Sequence, residues 1–236
     1  MGTKTPLREV TLKMEPVSHS IDLSETALVM IDMQRDFLEP GGFGELLGND
    51  VRKLQRAVLP CETILKAARK AGLLIIHTRE GHRPDMTDVH FHKNFKKNTD
   101  GTWKPPQIGQ RGPMGRILIR GEPGHDIIPQ LYPLQGEPIL DKPGKGAFYG
   151  TDLDVICKAQ NIRNLLLCGV TTEVCVHTTA REGNDRGYHC ILVGDACASF
   201  FDEFHRVAIA MLSAQGGIFG SVTDSESVVA ALDSKE

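Results

Sequence analysis

The chain has 236 residues, 40% of them hydrophobic, and a formal net charge of −3 at pH 7. That length suits one domain at the upper end of the usual range, and the mildly acidic balance gives no reason to expect nucleic acid as a partner. No apolar stretch is long enough to cross a bilayer, and residues 1–20 lack the apolar core of a signal peptide. We therefore expect a single cytoplasmic domain over residues 1–236, without membrane contact.

The first third of the chain predicts a β-α-β unit after a polar N-terminal arm, residues 1–24, which is either wrapped over the domain or loose. Residues 26–33 are almost continuously apolar, which is typical of a parallel strand covered on both faces. A helical pattern over 49–71 follows and should bend or break near Pro60. Residues 73–77 form the next predicted strand.

Regularity fades between residues 79 and 136, where Gly and Pro recur. Long connections of this kind inside a compact domain are usually functional, so we interpret 79–136 as a loop or lid over a site, with a short strand at 117–120. Its basic cluster of Lys93, Lys96 and Lys97 is typical of a solvated loop.

The remaining chain alternates short apolar runs with helical patterns. Such alternation predicts an α/β fold: a doubly wound, mostly parallel six-stranded sheet with helices on both faces. The strands are predicted at 138–141, 165–168, 189–193 and 217–222, and the helices at 153–159, after 171, at 202–214 and at 225–232.

The stretch from Leu165 to Gly187 contains the strongest candidate for chemistry. Thr171 or Thr172 can cap a helix just past the strand, which places Cys175 in its first turn. A thiol there should ionise more readily than its reference pKa of about 8.5 allows. The chain has six cysteines without a Cys-x-x-Cys pair, so we expect reduced thiols and a core role for most of them.

Three polar residues follow predicted strands: Asp32, Lys142 and Cys175. In a parallel sheet these ends share one edge, so a base, a cation and a nucleophile could converge there. Each also has a plainer interpretation, as a cap, a surface lysine or a core thiol. His177 is a poor partner for Cys175, because residues two apart on a helix do not face each other.

Residues 29–37, 142–148 and 169–176 resemble the isochorismatase-like cysteine hydrolases, and the resemblance extends from Thr26 to about Val222. It implies that Asp32, Lys142 and Cys175 are a catalytic triad, with Asp36 a neighbour. It also implies a cis peptide between Val170 and Thr171 and an oxyanion hole made by the backbone N–H groups of Thr171 and Cys175.

Residues 77–84, 120–124, 141–146 and 215–220 are similar to biuret hydrolases and, next, to ureidoacrylate amidohydrolases. The resemblance implies hydrolysis of a small linear carboxamide, with biuret giving urea-1-carboxylate and ammonia. The alternatives are a ureidoacrylate or N-carbamoyl amino acid amidohydrolase, a nicotinamidase, or a non-catalytic binding member of the fold. The substrate contacts assigned in this way are Gln215, Lys145, Val170, Phe37 and Glu80.

The resemblance also bears on metals and partners. Nicotinamidases carry a metal-binding Asp-x-His, whereas this chain has Glu80-Gly81-His82, with Asp88 or His90 beyond. Such a set could in principle hold Zn²⁺ or Mn²⁺, but our expectation is no metal and no cofactor. The expected partners are a small ureide or amide substrate and further copies of the chain, as a dimer or tetramer.

Overall fold

The structure, a computed structural model, describes residues 8–94, 100–101 and 107–234. Its centre is a six-stranded sheet in which every neighbouring pair of strands is parallel, in the order β10-β9-β8-β3-β4-β7. These strands are β3 (Thr26–Ile31), β4 (Leu74–Glu80), β7 (Ile139–Lys142), β8 (Asn164–Val170), β9 (His189–Ala198) and β10 (Ser221–Thr223). The predicted doubly wound α/β sheet is confirmed.

The winding reverses beside β3. From this strand the chain builds outward through β4 and β7, and then returns to the other side of β3 to add β8, β9 and β10. Ligands in open α/β sheets bind at such a switch point, outside the carboxyl ends of the strands. The edge beyond β3 and β8 is therefore the place to look for a site.

Helices cover both faces of the sheet. Their bounds are α1 (Arg35–Leu38), α2 (Phe43–Leu46), α3 (Arg52–Gln55), α4 (Val58–Ala71), α5 (Phe91–Asn94), α6 (Leu153–Ala159), α7 (His177–Asp185), α8 (Asp202–Gly217) and α9 (Ser225–Asp233). None of the described helices is long and apolar enough to span a membrane.

Strand β3 shows why two layers of helices are needed. All six of its residues are buried, and the five apolar ones alternate between two apolar clusters. Leu28 and Met30 pack in the cluster that includes residues of α4 and α9, whereas Val29 and Ile31 pack with residues of α6 and α7. A strand with apolar residues on both faces can be stable only between two such layers.

The described part of the N-terminal arm is wrapped over the domain. Strands β1 (Glu9–Leu12) and β2 (His19–Asp22) form an antiparallel pair, and Glu15 exchanges two backbone hydrogen bonds with Val222 of β10. The side chains of Leu12 and Ile21 are buried in the core.

The helical pattern over 49–71 is broken before Val58, close to Pro60 as predicted. Pro60 itself lies in the first turn of α4, where its missing N–H costs no hydrogen bond. Other local predictions need correction. Residues 117–119 are buried but form an isolated bridge from Ile119 to His82 instead of a strand; the short pair β5 (Arg111–Gly112) and β6 (Gly115–Arg116) precedes them. Strand β4 continues to Glu80, three residues beyond the predicted end.

Candidate active site

Asp32, Lys142 and Cys175 meet at the carboxyl edge of the sheet. Asp32 directly follows β3, Lys142 ends β7, and Cys175 lies in a single wide helical turn, Thr172–Val176, between β8 and α7. All three side chains are buried. The sheet thus brings together three residues that are separated by more than thirty positions in the sequence, as the shared strand edge predicts.

The Asp32 carboxylate is held from two sides. Its Oδ1 accepts a hydrogen bond of 2.7 Å from the hydroxyl of Thr78, and its Oδ2 lies 2.6 Å from Nζ of Lys142. Apart from that ion pair, Oδ2 has no hydrogen-bond partner in the part of the chain that the structure describes. One carboxylate oxygen therefore retains the capacity to accept a proton.

Lys142 is a fully buried cation. Its ammonium group also donates to the backbone carbonyl of Gly144 at 3.1 Å. Burial alone would lower its pKa, but the nearby Asp32, Cys175 and Glu80 raise the pKa above the usual value, so the lysine remains charged.

The Cys175 thiol lies between two carboxylates. Its Sγ is 3.6 Å from Oε2 of Glu80, and the nearest ligand atoms of Asp32, Glu80 and Cys175 all lie within 4.8 Å of one another. Burial raises the pKa of this thiol well above its usual range, despite the opposing effect of Lys142. This direction is opposite to the expectation of an easily ionised thiol, because removal from water outweighs the attraction of the neighbouring lysine ammonium groups.

Glu80 lies at the centre of a cluster of charged side chains, which consists of Glu80, Asp32, Lys142, Lys145 and Lys93. It pairs in register with Lys142, and Gln34 fixes its backbone by accepting from the Glu80 N–H at 2.7 Å and donating to its carbonyl at 3.0 Å. Oε1 lies 2.6 Å from Nζ of Lys145 and 2.9 Å from Nζ of Lys93. Burial would raise the pKa of Glu80, but Lys145, Lys142 and Lys93 together lower it to about 2.

Lys93 was not predicted in the site. The sequence pattern assigns it to a solvated loop, yet its ammonium group lies inside the cluster, because α5 turns it toward Glu80 and Pro143. Lys96 and Lys97 lie outside the described residues. Thr78 and Gln34 were also missed, since nothing in their sequence neighbourhood distinguishes them from other polar residues.

Among the assigned substrate contacts, Glu80 and Lys145 belong to the cluster. The peptide bond between Val170 and Thr171 is cis, as the family resemblance implies. Phe37 is nearly buried on α1 and packs edge-on against Phe43; its contact with substrate stays a prediction, as do the roles of the Thr171 and Cys175 N–H groups.

The contact assigned to Gln215 stays a prediction. This residue is exposed and has a left-handed backbone (φ 54°) where α8 is interrupted. Helix α8 starts near the carboxyl edge at Asp202, and about twelve helical residues cover roughly 18 Å, so Gln215 ends up far along the helix. Phe219, four residues later, packs under Arg181 of α7.

Two residues near the candidate site have structural roles. Asp36 accepts backbone hydrogen bonds from Leu118 at 3.0 Å and Phe43 at 3.3 Å, so it ties the long connection to α2. His177 is buried and accepts a hydrogen bond from the Nε of Arg181 at 3.1 Å. As predicted, these contacts turn it to Arg181 and not to Cys175.

The donor atoms of Asp32, Glu80 and Cys175 are close enough to surround a metal ion. However, the Asp32 carboxylate already faces the ammonium group of Lys142, and that of Glu80 faces Lys145 and Lys93. A metal ion would have to displace these bound cations. The charges present therefore fit proton transfer and nucleophilic chemistry better than a metal centre.

A family model described as isochorismatase domain matches residues 26–227. A cysteine hydrolase from Pseudomonas syringae is 26% identical, with a TM-score of 0.75, 98% of this chain and 99% of that chain being covered. An isochorismatase family protein from Desulfovibrio vulgaris is 25% identical, with a TM-score of 0.70 and coverages of 89% and 99%. An N-carbamoylsarcosine amidase from Thermoplasma acidophilum shares the fold at 24% identity, with a TM-score of 0.64 and coverages of 86% and 97%.

Proposed function

Because this chain belongs to the isochorismatase family of hydrolases, we propose that it is a cysteine amidohydrolase that releases ammonia from the terminal carboxamide of a small ureide, with biuret as the first candidate. The observation that carries the proposal is the position of the Cys175 thiol, within 4.8 Å of two buried carboxylates and beside a buried lysine. A nucleophile, a proton acceptor and a fixed cation are the groups that acyl transfer from an amide needs.

The first half of the reaction forms a covalent intermediate. Asp32 accepts the proton of Cys175 as Sγ attacks the terminal carbonyl carbon, so a thiolate need not exist in the resting enzyme. The backbone N–H groups of Thr171 and Cys175 hold the resulting oxyanion, a type of contact worth about 3–4 kcal/mol in comparable sites. When the C–N bond breaks, Asp32 returns the proton to the leaving nitrogen and ammonia departs.

The second half regenerates the thiol. Asp32 removes a proton from a water molecule, which attacks the thioester carbonyl, and the C–S bond breaks as Cys175 recovers its proton. With biuret the product is urea-1-carboxylate. Throughout, Lys142 keeps the Asp32 carboxylate in place at 2.6 Å.

The small size of the proposed substrate follows from burial. Cys175 is 4% exposed, and Asp32 and Lys142 are not exposed at all. Among the charged groups of the cluster, Lys145 has the most exposed side chain, at 44%. We assign Lys145 to the carbonyl oxygen at the far end of the ureide, because it can turn from Glu80 to an entering ligand while Lys93 stays on Glu80.

A second candidate substrate class is favoured by the charge balance. The cluster contains three ammonium groups, on Lys93, Lys142 and Lys145, against the two carboxylates of Asp32 and Glu80. One surplus positive charge would suit a ureide that carries its own carboxylate, such as ureidoacrylate or an N-carbamoyl amino acid. In that case Lys145 binds the carboxylate and the triad chemistry is unchanged.

The test is ammonia release by the purified protein from biuret, ureidoacrylate, N-carbamoylglycine and nicotinamide, with and without a chelator. We expect chelator-resistant release from the ureides and none from nicotinamide. Cys175→Ala should abolish turnover with an unchanged circular dichroism spectrum, and Cys175→Ser is the matched conservative variant. An active Cys175→Ala protein would refute the mechanism, and no release from any ureide would refute the proposed function.

Lys145→Met separates the two substrate classes. If Lys145 binds a carboxylate, its loss should raise KM for N-carbamoylglycine far more than KM for biuret. If it binds a carbonyl oxygen, both KM values should rise to a similar extent. Lys66→Met, on the exposed face of α4 where Lys66 pairs with Glu62, is the control for loss of one positive charge.

A further inference from the structure

The ammonium group of Lys93 is surrounded by three acceptors. Nζ lies 2.9 Å from Oε1 of Glu80, 2.9 Å from Nε2 of His82 and 2.7 Å from the backbone carbonyl of Pro143. An ammonium group has three hydrogens and no lone pair. The number and type of its neighbours thus match a protonated lysine, although burial lowers the pKa of Lys93 against the opposing effect of Glu80.

His82 is arranged as a ligand to a cation. Its ring is fully buried, and Nδ1 lies 3.2 Å from Oδ1 of Asp88. If Nδ1–H donates to that carboxylate, the lone pair of Nε2 faces Lys93. Burial and the charge of Lys93 lower the pKa of His82, which keeps the ring neutral as this tautomer requires.

A carboxylate behind a histidine, with the other ring nitrogen directed at a cation, is the usual support for a protein-bound metal ion. Together with a Glu80 oxygen and a backbone carbonyl, the imidazole makes a three-ligand set that divalent cations accept. Here the position common to these ligands is filled by Nζ of Lys93. We propose that the ammonium group of Lys93 is a built-in cation that takes the place of a divalent metal ion between Glu80 and His82.

The presence of an ammonium group in place of a metal ion affects the neighbouring Lys145. Both Lys93 and Lys145 contact Oε1 of Glu80, but the Lys93 side chain is 17% exposed and that of Lys145 is 44% exposed. The better-buried Lys93 has two further acceptors and stays in place. Glu80 therefore keeps a positive partner when Lys145 moves.

The proposal is tested by Co²⁺ binding, followed through visible absorption and calorimetry, in wild type, Lys93→Ala and Lys93→Arg. We expect wild type and Lys93→Arg to exclude Co²⁺, since each retains a cation, and Lys93→Ala to bind one equivalent. In the Lys93→Ala background, His82→Ala should abolish binding, and Asp88→Asn should weaken it by about 10- to 100-fold. These readouts do not depend on turnover, so they stand apart from the proposed function.

Stoichiometric, His82-dependent Co²⁺ binding by wild type would overturn the proposal, as would a folded Lys93→Ala protein that binds none.

Discussion

Replacement of Lys142 by Met tests whether the buried ion pair with Asp32 is as important as its geometry implies. Neither side chain is exposed, and the two charges lie 2.6 Å apart. At an effective dielectric constant of about 20, charges at this separation attract by roughly 6 kcal/mol, of which burial of the two ions takes back a large part. Removing one partner leaves a buried, uncompensated carboxylate, so Lys142→Met should lower the free energy of unfolding by about 3–5 kcal/mol.

The assay is urea denaturation at neutral pH on wild type, Lys142→Met, Asp32→Asn and the double variant. Because the double variant has no unpaired charge, it should lose clearly less stability than the two single variants added together. Methionine matches the length of the lysine stem, so lost packing contributes little. A loss below about 1 kcal/mol in Lys142→Met, or strict additivity in the double variant, would refute the reasoning.

Three further outcomes follow from the same cluster. The pKa of Glu80 is lowered from 4.5 to about 2, so its contribution to stability is present above about pH 4.5 and is lost as pH falls toward 2. Between about pH 6 and pH 3, the free energy of unfolding of wild type should fall by about 2 kcal/mol more than that of Glu80→Gln, as measured by urea titration. Equal losses in the two proteins would contradict this. Thr78→Val removes the 2.7 Å hydrogen bond to Asp32 and should reduce kcat/KM about tenfold or more, while Thr78→Ser should stay close to wild type. Alkylation of Cys175 by iodoacetamide, followed by mass spectrometry, should be slow at neutral pH and accelerate in alkaline solution, because burial raises its pKa; rapid alkylation at neutral pH would indicate a resting thiolate.

The slow alkylation expected for Cys175 also changes how a catalytic protein is told from a non-catalytic binding member of the fold. An easily ionised thiol would react selectively with a thiol reagent near neutral pH. With a neutral, buried thiol, an unreactive Cys175 is compatible with catalysis. Ammonia release and its loss in Cys175→Ala are therefore the measurements that separate the two.

Asp32, Lys142 and Cys175 illustrate what the sequence by itself determined. Their signal is local: each follows an apolar run that predicts a buried strand, and parallel strands present their carboxyl ends at one edge. Strand alternation likewise predicted the doubly wound sheet, since hydrophobic periodicity depends on neighbours along the chain.

The tertiary structure alone decided the partners of these residues. Lys93 reaches Glu80 from a connection without periodicity, and Thr78 faces Asp32 because β4 pairs with β3 in one particular register. The backbone of Gln215 departs from the helical conformation within α8, and the pKa of the Cys175 thiol is raised because the surrounding layers exclude water. Long-range packing and desolvation depend on residues far apart in the chain, and no local pattern encodes them.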